Sequence, residues 1–268
     1  MELKKYYAHD NIPPDIQAMV QLVGDQPTLE SIWALMDLVW AVTGADPQKP
    51  ESMAAFYSHA VWTFNGIFTE THQESLENRL QFTKKIAELE PLRIADYGGG
   101  FGALARLLAQ RLPQCTIEVV EPFPSGLALT MSGEYKNVFY VPKLAGTYDV
   151  IIALDVLEHV EAPLALVHEL ATHINEKGKL LLANCFYPVI KCHLPSTFYL
   201  RNSFDFLLNQ LGIVATEKIL YGTLYVKKKT LRSPEKIKYL ISASKIYFFL
   251  IEQCRAVKKA IKQLICKQ

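Results

Sequence analysis

A glycine-rich segment follows a short apolar strand and is the part of the chain best suited to binding a ligand. Residues 92–102 read Leu-Arg-Ile-Ala-Asp-Tyr-Gly-Gly-Gly-Phe-Gly, which places Asp96 two positions ahead of the first glycine. A backbone without Cβ atoms can turn sharply and approach a ligand closely. The helix predicted directly after this loop adds free N–H groups in its first turn. A strand, an acidic residue, a glycine loop and a helix in this order indicate a site for a nucleoside cofactor.

A second acidic residue stands where the ribose of such a cofactor would lie. Leucines at helical spacing predict a helix that ends at Pro113, and the apolar run at 116–120 predicts the next strand. That strand leads into Glu121 and Pro122. An acid at the tip of the second strand of a βαβ unit can accept hydrogen bonds from both ribose hydroxyls. The glycine loop and Glu121 together predict a ligand that contains ribose and adenine.

Two classes of cofactor use this arrangement. Residues 98–103 can be aligned with the dinucleotide-binding fingerprint, in which alanine is allowed at the last glycine position. Asp96 argues against a dinucleotide, because its carboxylate would repel a pyrophosphate. S-adenosylmethionine has no phosphate and carries two positive groups, a sulfonium and an ammonium. It therefore suits the position of Asp96 better than a dinucleotide does.

Four segments, in this order, resemble motifs of the class I S-adenosylmethionine-dependent methyltransferases. Residues 96–102 resemble the first motif of that family, and 119–122 are similar to the ribose-binding end of its second strand. Residues 148–160 resemble its fourth strand and the loop that follows, and 177–184 are similar to the turn into its fifth strand. The resemblance extends over residues 91–226, about half of the chain.

The resemblance implies a fold and a division of the chain into three parts. Residues 91–226 are expected to form an α/β methyltransferase domain with a Rossmann-like, doubly wound, mainly parallel sheet of seven strands, closed by an antiparallel hairpin. Residues 1–90 lack strand alternation and are expected to form a helical segment that covers the cofactor and shapes the substrate pocket, with plain core packing as the alternative. Residues 227–268 are expected to form a basic helix. The helices predicted before residue 90 lie near 28–44, 52–64 and 71–89.

The resemblance also implies roles for individual residues. Asp96 and the glycines would hold the methionine part of the cofactor, Glu121 the ribose, and Phe123 would lie against the adenine. Two alternatives stay open, because Asp155 is also placed to cap the following helix and Phe123 suits core packing equally well. Many family members carry an acid after the third strand for the adenine amine, and 141–144 has none. The complete cofactor set is Asp96, Gly98, Gly99, Gly100, Glu121, Pro122, Phe123, Leu154 and Asp155.

Two histidines are the candidate catalytic residues. Methyl transfer mainly requires alignment of the acceptor, and an oxygen or nitrogen acceptor often needs a base as well. His159 follows the fourth strand, and His193 lies in the loop at 185–196, which leaves the sheet edge where open α/β sheets bind ligands. Tyr187 and His193 are the candidate substrate-binding residues. Other candidates for the base are His72 and, in a segment that could act as a lid, Tyr6, Tyr7 and His9. A surface or hydrogen-bonded core position is the alternative for each histidine.

The C-terminal segment differs in charge from the rest of the chain. Residues 227–268 contain 12 Lys or Arg and 2 Asp or Glu, a net charge of +10, whereas residues 1–226 carry a net charge of −9. One helix is predicted over 235–265. A basic amphipathic helix indicates contact with a membrane or a partner protein, and packing on its own domain is the alternative. The apolar stripe is formed by Ile237, Leu240, Ile241, Phe248, Ile251, Cys254, Ile261 and Leu264.

Composition narrows the functional classes. The chain has no apolar stretch as long as a membrane span, and its first residues lack the apolar core of a signal peptide. Its five cysteines form no Cys-x-x-Cys pair, which favours a reducing cytosol and no metal site. The acidic net charge of residues 1–226 argues against nucleic acid as the substrate.

We therefore expect a cytoplasmic enzyme, held at the inner face of the membrane if its tail binds lipid. It would transfer a methyl group from S-adenosylmethionine to an oxygen atom of a small-molecule or glycan acceptor. The alternative is a catalytically silent S-adenosylmethionine-binding scaffold that recruits a partner or a membrane through the basic tail.

Overall fold

Seven strands form a single sheet in the computed structural model, which describes residues 3–7 and 11–265. Their order across the sheet is 3-2-1-4-5-7-6; the first five are parallel, and the seventh is antiparallel to both of its neighbours. The structure thus has the predicted mainly parallel α/β fold with a closing hairpin. The strands are β1 (Arg93–Tyr97), β2 (Thr116–Val120), β3 (Val138–Val141), β4 (Tyr148–Leu154), β5 (Ile174–Ala183), β6 (Ile213–Ile219) and β7 (Gly222–Lys227).

The helices cover both faces of this sheet and add a layer before it. Parallel strands are buried on both faces, which is why β4 consists almost entirely of buried apolar residues. The helices are α1 (Pro14–Val23), α2 (Leu29–Val42), α3 (Pro50–Tyr57), α4 (Ala60–Thr71), α5 (Gln73–Ala87), α6 (Ala103–Arg111), α7 (Gly126–Ser132), α8 (Pro163–Thr172), α9 (Phe204–Leu211) and α10 (Lys238–Ile265).

The register of the central strands determines where a ligand can bind. Strands β1 and β4 are neighbours, with Ile94 opposite Val150 and Asp96 opposite Ile152. The segments that follow β1, β4 and β5 therefore leave the sheet at one edge. The strand order reverses between β1 and β4, and open α/β sheets bind ligands in the crevice at such a switch point.

The helices before the sheet are more numerous than the sequence analysis predicted. The helix predicted over 52–64 is wrong as a single element, because the chain breaks between α3 and α4. His59 caps α4 at this break, with its Nδ1 accepting a hydrogen bond from the Val61 amide at 3.1 Å. Helix α1 was not predicted. Helix α2 starts where expected, with a reciprocal capping box between Thr28 and Ser31.

The helices before the sheet pack in two different ways. Helices α1 to α4 share an apolar cluster that also contains Ile190 and Cys192 of the loop after β5. Helix α5 instead buries Phe82 and Ile86 in the cluster formed by the sheet and α6. Because α5 belongs to the core of the sheet, the helical segment is continuous with the α/β fold. The division of the chain at residue 90 stays a prediction.

The C-terminal helix packs on the body along only part of its length. A 3₁₀ turn, Pro234–Ile237, leads directly into α10. The two together cover the region 235–265, for which one helix was predicted. Ile237 is buried, and Leu240, Ile241 and Phe248 pack against the core. Beyond this point the body does not cover the stripe, because Cys254 is exposed, and its burial in a membrane stays a prediction. The side chains of Ile261 and Leu264 lie outside the described part of the structure.

The opposite face of α10 is also apolar, and it is exposed. Ile246, Phe249 and Leu250 are each more than half exposed, and Arg255, Lys258 and Lys259 follow one turn later, also exposed. Five residues at helical spacing line this face: Tyr239, Ile246, Phe249, Leu250 and Val257. Within the described residues, no helix is long and apolar enough to cross a bilayer.

Helix α4 packs closely on the glycine loop, and a substitution at Gly66 can test this contact. A Cβ atom at Gly66 would lie 2.4 Å from the Cβ and Cγ atoms of Phe101. Gly66→Ala should therefore lower the free energy of unfolding by about 1–3 kcal/mol, although alanine alone favours a helix. Gly126→Ala is the matched control, because no atom lies within 4 Å of its added Cβ. Equal stabilities of the two variants in urea denaturation would contradict the close approach.

Candidate functional site

The glycine loop after β1 is held by hydrogen bonds to the end of β2. The Gly98 amide donates to the Val120 carbonyl at 2.9 Å, and the Gly100 amide donates to Oε2 of Glu121 at 3.2 Å. The other oxygen of Glu121 accepts from the Phe123 amide at 3.1 Å. Each carboxylate oxygen has a second lone pair, so Glu121 can still accept hydrogen bonds from a ligand. The predicted ribose-binding residue and the predicted loop thus lie side by side.

Asp96 is buried beneath this loop. It is 3% exposed, and its Oδ2 atom has no hydrogen-bond partner among the described residues. Gly99 lies directly over it, since a Cβ atom at Gly99 would be 2.6 Å from Oδ2. Burial raises the pKa of Asp96 to about 7, and the charge of Arg79 opposes this shift. A buried carboxylate without a partner is costly, and a cationic ligand group would relieve that cost.

Arg79 is a residue of the site that the sequence analysis missed. It lies in α5, and its guanidinium donates to the carbonyl and the hydroxyl of Thr69 at 2.8 and 2.9 Å. Its positive charge acts on both Asp96 and Asp155. A single arginine in a helix before the sheet gives no local signal of this role, because its distance in sequence from both acids is large.

Asp155 follows the end of β4 in an unusual backbone conformation. Its φ is +53°, a left-handed value that is uncommon for a residue other than glycine and is often found at functional sites. Tyr221 donates a hydrogen bond to its Oδ2 at 3.1 Å. The alternative role as a helix cap is wrong, because Ala162 precedes α8 and Val156 precedes the short 3₁₀ turn. Leu154, the last residue of β4, is half-buried beside it.

Both candidate catalytic histidines lie in one cluster with Glu158. The 3₁₀ turn Leu157–His159 carries Glu158 and His159, and the loop after β5 carries His193. The two imidazole centroids are 5.0 Å apart and nearly perpendicular. One ligand-type atom from each of the three side chains lies within 4.8 Å of the others. The structure therefore brings together two candidate histidines that are 34 positions apart, which the sequence analysis did not predict.

Backbone carbonyls orient both imidazoles. The Nδ1 atoms of His159 and His193 lie 3.1 Å from the Cys192 carbonyl and 2.7 Å from the Tyr187 carbonyl. A carbonyl only accepts, so each Nδ1 carries the proton and each Nε2 carries the lone pair. Burial lowers the pKa of both imidazoles, and for His159 the neighbouring His193 lowers it further. Both rings are thus held neutral with a basic nitrogen available.

Glu158 is the most deeply buried member of the cluster. Its side chain is fully buried, Oε1 accepts a hydrogen bond from the Cys185 amide at 2.8 Å, and Oε2 has no partner among the described residues. Burial and, second to it, the negative charge of Asp155 raise the pKa of Glu158 to about 8. The sequence analysis did not identify Glu158 as a site residue, although it directly precedes His159.

Aromatic residues from α3 and α4 form a wall against this cluster. The rings of Tyr57 and Trp62 lie 6.5 and 6.2 Å from His159, both edge-on. The hydroxyl of Tyr57 is buried and has no hydrogen-bond partner in the described part of the chain. The amide of Lys191 also donates to Asp37 in α2 at 2.6 Å, which ties the loop after β5 to the helical layer.

Tyr187 contributes its backbone to the cluster, and its ring lies elsewhere. The side chain is 50% exposed, and the Arg201 guanidinium lies 3.8 Å from the ring centroid. Arg201 also contacts Phe248 and Glu252 of α10. The structure thus places the Tyr187 ring on the side of the loop that faces α10, whereas His193 joins the cluster.

The other predicted residues lie at the rim or outside the site. Tyr6 donates to Glu70 at 2.8 Å beside the buried ion pair of Glu70 and Arg106, so the segment at 3–7 lies next to the glycine loop. His72 stacks on Phe68 at the junction of α4 and α5. His9 lies outside the described residues. Tyr7, Pro122 and Phe123 are half-buried or exposed.

Comparison with known proteins gives the same assignment. A methyltransferase domain family matches residues 68–202, half of the chain. The chain belongs to this family, and to the class I S-adenosylmethionine-dependent methyltransferases. A malonyl-(acyl-carrier protein) O-methyltransferase of Halalkalibacterium halodurans is 31% identical over 144 residues. That alignment covers 49% of this chain and 50% of the relative, so the chain spans about half of the relative's length.

A solved structure shows the same fold at low sequence identity. Human N-acetylserotonin methyltransferase, determined in complex with S-adenosylmethionine, is 16% identical and has a TM-score of 0.52. The match covers 86% of this chain and 75% of the human protein. The shared architecture therefore includes more than the family match at 68–202.

The buried Asp96 carboxylate predicts a pH-dependent stability of the cofactor-free protein. With a folded pKa of about 7, Asp96 keeps a proton that the unfolded chain has lost above about pH 4. The stability that the protonated form of Asp96 provides is therefore fully present below about pH 4. It is lost as the pH rises to about 7, where the buried carboxyl group ionises. Asp96→Asn should raise the free energy of unfolding by about 1–3 kcal/mol at pH 8 and change it little at pH 4.

Urea denaturation of the cofactor-free variants at both pH values measures this effect. Glu134→Gln is the control, because it removes a carboxylate that is exposed on the surface. An Asp96→Asn variant that is less stable than the wild type at pH 8 would show that the carboxylate is already satisfied within the protein.

Proposed function

We propose that the protein transfers a methyl group from S-adenosylmethionine to an oxygen atom of a small-molecule or sugar-like acceptor. The observation that carries this proposal is the buried carboxylate of Asp96, whose Oδ2 lacks a partner, beneath a glycine loop that also contacts Glu121. An unpaired anion next to a ribose-type acceptor group suits a ligand with positive charge and a nucleoside. The match to the methyltransferase family supports the same cofactor.

The residues present fit this cofactor. Asp96 and the loop of Gly98, Gly99 and Gly100 would hold its amino-acid end, with the charge of Arg79 placed to bind a carboxylate. Glu121 would bind the ribose, while Leu154 and Asp155 would line the pocket at the end of β4. Pro122 and Phe123 are exposed and available to cover an adenine. When bound, S-adenosylmethionine supplies a methyl group on a positively charged sulfonium.

The acceptor pocket in this proposal lies between the histidine cluster and the helical layer. Tyr57 and Trp62 form its aromatic wall, and His159 and His193 present neutral imidazoles to it. An acceptor hydroxyl must lose its proton as the bond between its oxygen and the methyl carbon forms, and either Nε2 could accept that proton. The side chain of Tyr187, a candidate substrate contact, is better placed for a role outside the pocket.

The alternative of a catalytically silent scaffold is not favoured. A scaffold would need the cofactor site alone, whereas this chain also places a buried carboxylate and two neutral imidazoles beside it. Cytoplasmic location is a prediction from the cysteine pattern.

Glu121→Ala tests the cofactor assignment. Loss of a charged acceptor of ribose hydrogen bonds should weaken binding of S-adenosylhomocysteine by about 1–3 kcal/mol, roughly 5–150-fold, in calorimetry. Glu134→Ala, on the surface, is the matched control and should bind as the wild type does. Nicotinamide dinucleotides should not bind. Dinucleotide binding without S-adenosylhomocysteine binding would refute the proposal.

The exposed face of α10 supports a second proposal, that the helix binds an anionic membrane surface. Five large apolar residues lie on this face, and lysines and an arginine follow them along the helix. An amphipathic helix of this kind lies in the interface plane, and each basic residue near an anionic surface contributes about 1 kcal/mol. The net charge of +10 over residues 227–268 would be attracted both to anionic lipid and to the acidic body of a second copy of the chain. We favour lipid because an anionic bilayer has the higher density of negative charge, and the test below includes both partners.

Vesicle flotation of the full chain decides whether the exposed face of α10 binds a membrane or a second copy of the chain. The wild type should float with anionic vesicles at low salt and remain behind at high salt or with neutral vesicles. Replacing Phe249 and Leu250 by serine should lower the bound fraction at least about 10-fold, because two exposed apolar side chains are lost. Leu92→Ser, an exposed leucine elsewhere, is the control. Absence of flotation, or a dimer abolished by the double variant, would overturn membrane binding.

A further inference from the structure

The cluster of Glu158, His159 and His193 has the composition of a metal site. Two imidazoles and one carboxylate form a ligand set that suits divalent transition metals such as zinc, and leaves one or more positions open. Their potential ligand atoms lie within 4.8 Å of one another, and no other such group of histidines, cysteines and acids occurs among the described residues. The sequence analysis expected no metal, because its argument considered only the spacing of cysteines.

The orientation of the two imidazoles is the first observation that points to a cation. Each Nδ1 donates to a backbone carbonyl, so that Nε2 carries the free lone pair. Metal-binding histidines almost always donate their second nitrogen in this way, which fixes the ring and raises its basicity.

Glu158 is the second, independent observation. Its side chain is fully buried, and Oε2 has no hydrogen-bond partner among the described residues. The Cys185 amide holds the other oxygen at 2.8 Å, and the Glu158 carbonyl accepts from the Leu194 amide at 2.8 Å. These bonds fix both the carboxylate and the loop that carries His193. Oε2 of Glu158 is thus a buried, unpartnered carboxylate oxygen in a cluster with two imidazoles whose Nε2 atoms carry no proton. A cation would supply the positive partner that this oxygen lacks.

We propose that Glu158, His159 and His193 bind one divalent transition-metal ion at the floor of the acceptor pocket. The Tyr57 ring, whose hydroxyl is buried without a partner among the described residues, lies 6.5 Å from the His159 ring, and the charge of Asp155 acts on Glu158. With the ion bound, both Nε2 lone pairs would be ligands, and the ion would replace an imidazole as the group that promotes loss of the acceptor proton. An acceptor oxygen at an open position would be oriented and made more acidic. This consequence for the reaction rests on the proposed methyltransferase function, whereas the metal site itself does not.

Zinc binding by the purified full chain tests the site directly. After treatment with a chelator and dialysis, the wild type should take up one equivalent of Zn²⁺ in competition with a chromophoric chelator. Glu158→Gln, His159→Gln and His193→Gln should each weaken binding by at least about 10–100-fold. His168→Gln, which removes a histidine of α8 outside the cluster, should bind as the wild type does. Uptake of no zinc, or equal uptake by all variants, would overturn the proposal.

Binding of Co²⁺ tests which residues are the ligands, and binding of S-adenosylhomocysteine separates the metal site from the proposed function. Co²⁺ should give visible absorption without a thiolate charge-transfer band; such a band would place a cysteine such as Cys185 among the ligands and overturn this ligand set. Circular dichroism identifies any variant that does not fold, and the remaining variants then decide. S-adenosylhomocysteine binding is measured on the same samples. Cofactor binding without zinc would refute the metal site alone, and zinc binding without the cofactor would refute the proposed function alone.

Discussion

Burial of negative charge at one edge of the sheet is the constraint on which this site depends. Both faces of the central strands are covered by apolar side chains, so polar groups occur where the strands end. Asp96 at the end of β1 and Glu158 just beyond β4 are both almost fully buried there, and each has one oxygen without a partner. Because an ionised carboxylate is costly there, burial raises the pKa of both groups, and a cationic ligand group or a fixed positive charge nearby would relieve the cost. Arg79 supplies part of that charge.

The helical layer before the sheet creates this burial. Gly66 lets α4 approach Phe101 of the glycine loop, and the pair of Glu70 and Arg106 joins α4 to α6 at the same place. Farther along, Tyr57 and Trp62 close the space around His159. Because the layer also shares a core with the loop after β5, it positions residues from three separate parts of the chain. Such preorganisation is what a transfer reaction requires of its protein.

Among the contacts between the basic tail and the body, one leads to the candidate site. Arg201 lies over the ring of Tyr187 and contacts Phe248 and Glu252 of α10, while the carbonyl of Tyr187 orients His193. The first half of α10 is therefore part of the body of the protein, and the second half extends beyond it. Within the first half, apolar residues occupy opposite faces of α10, and the body covers only one of these faces.

The sequence alone determined the features that depend on local chemistry and on order along the chain. A glycine loop between a strand and a helix, an acid at the tip of the next strand, and a hairpin at the end of the sheet each follow from a few neighbouring residues. Glu121 and the glycine loop were predicted to act together, and the structure joins them by a hydrogen bond from Gly100. The start of α2 was predictable for the same reason, since Thr28 and Ser31 cap it locally.

Only the tertiary structure decided which distant residues share the site. The apolar spacing over 52–64 predicted one continuous helix. His59 interrupts it, because the His59 side chain accepts a hydrogen bond from the Val61 amide and so caps a new helix. Asp155 adopts a left-handed backbone and binds Tyr221 of the closing hairpin, which no local pattern around Asp155 shows. Glu158 directly precedes a predicted histidine, yet its orphaned oxygen exists only because other segments bury it. Burial and pairing are properties of segments brought together by the sheet, and spacing along the chain does not contain them.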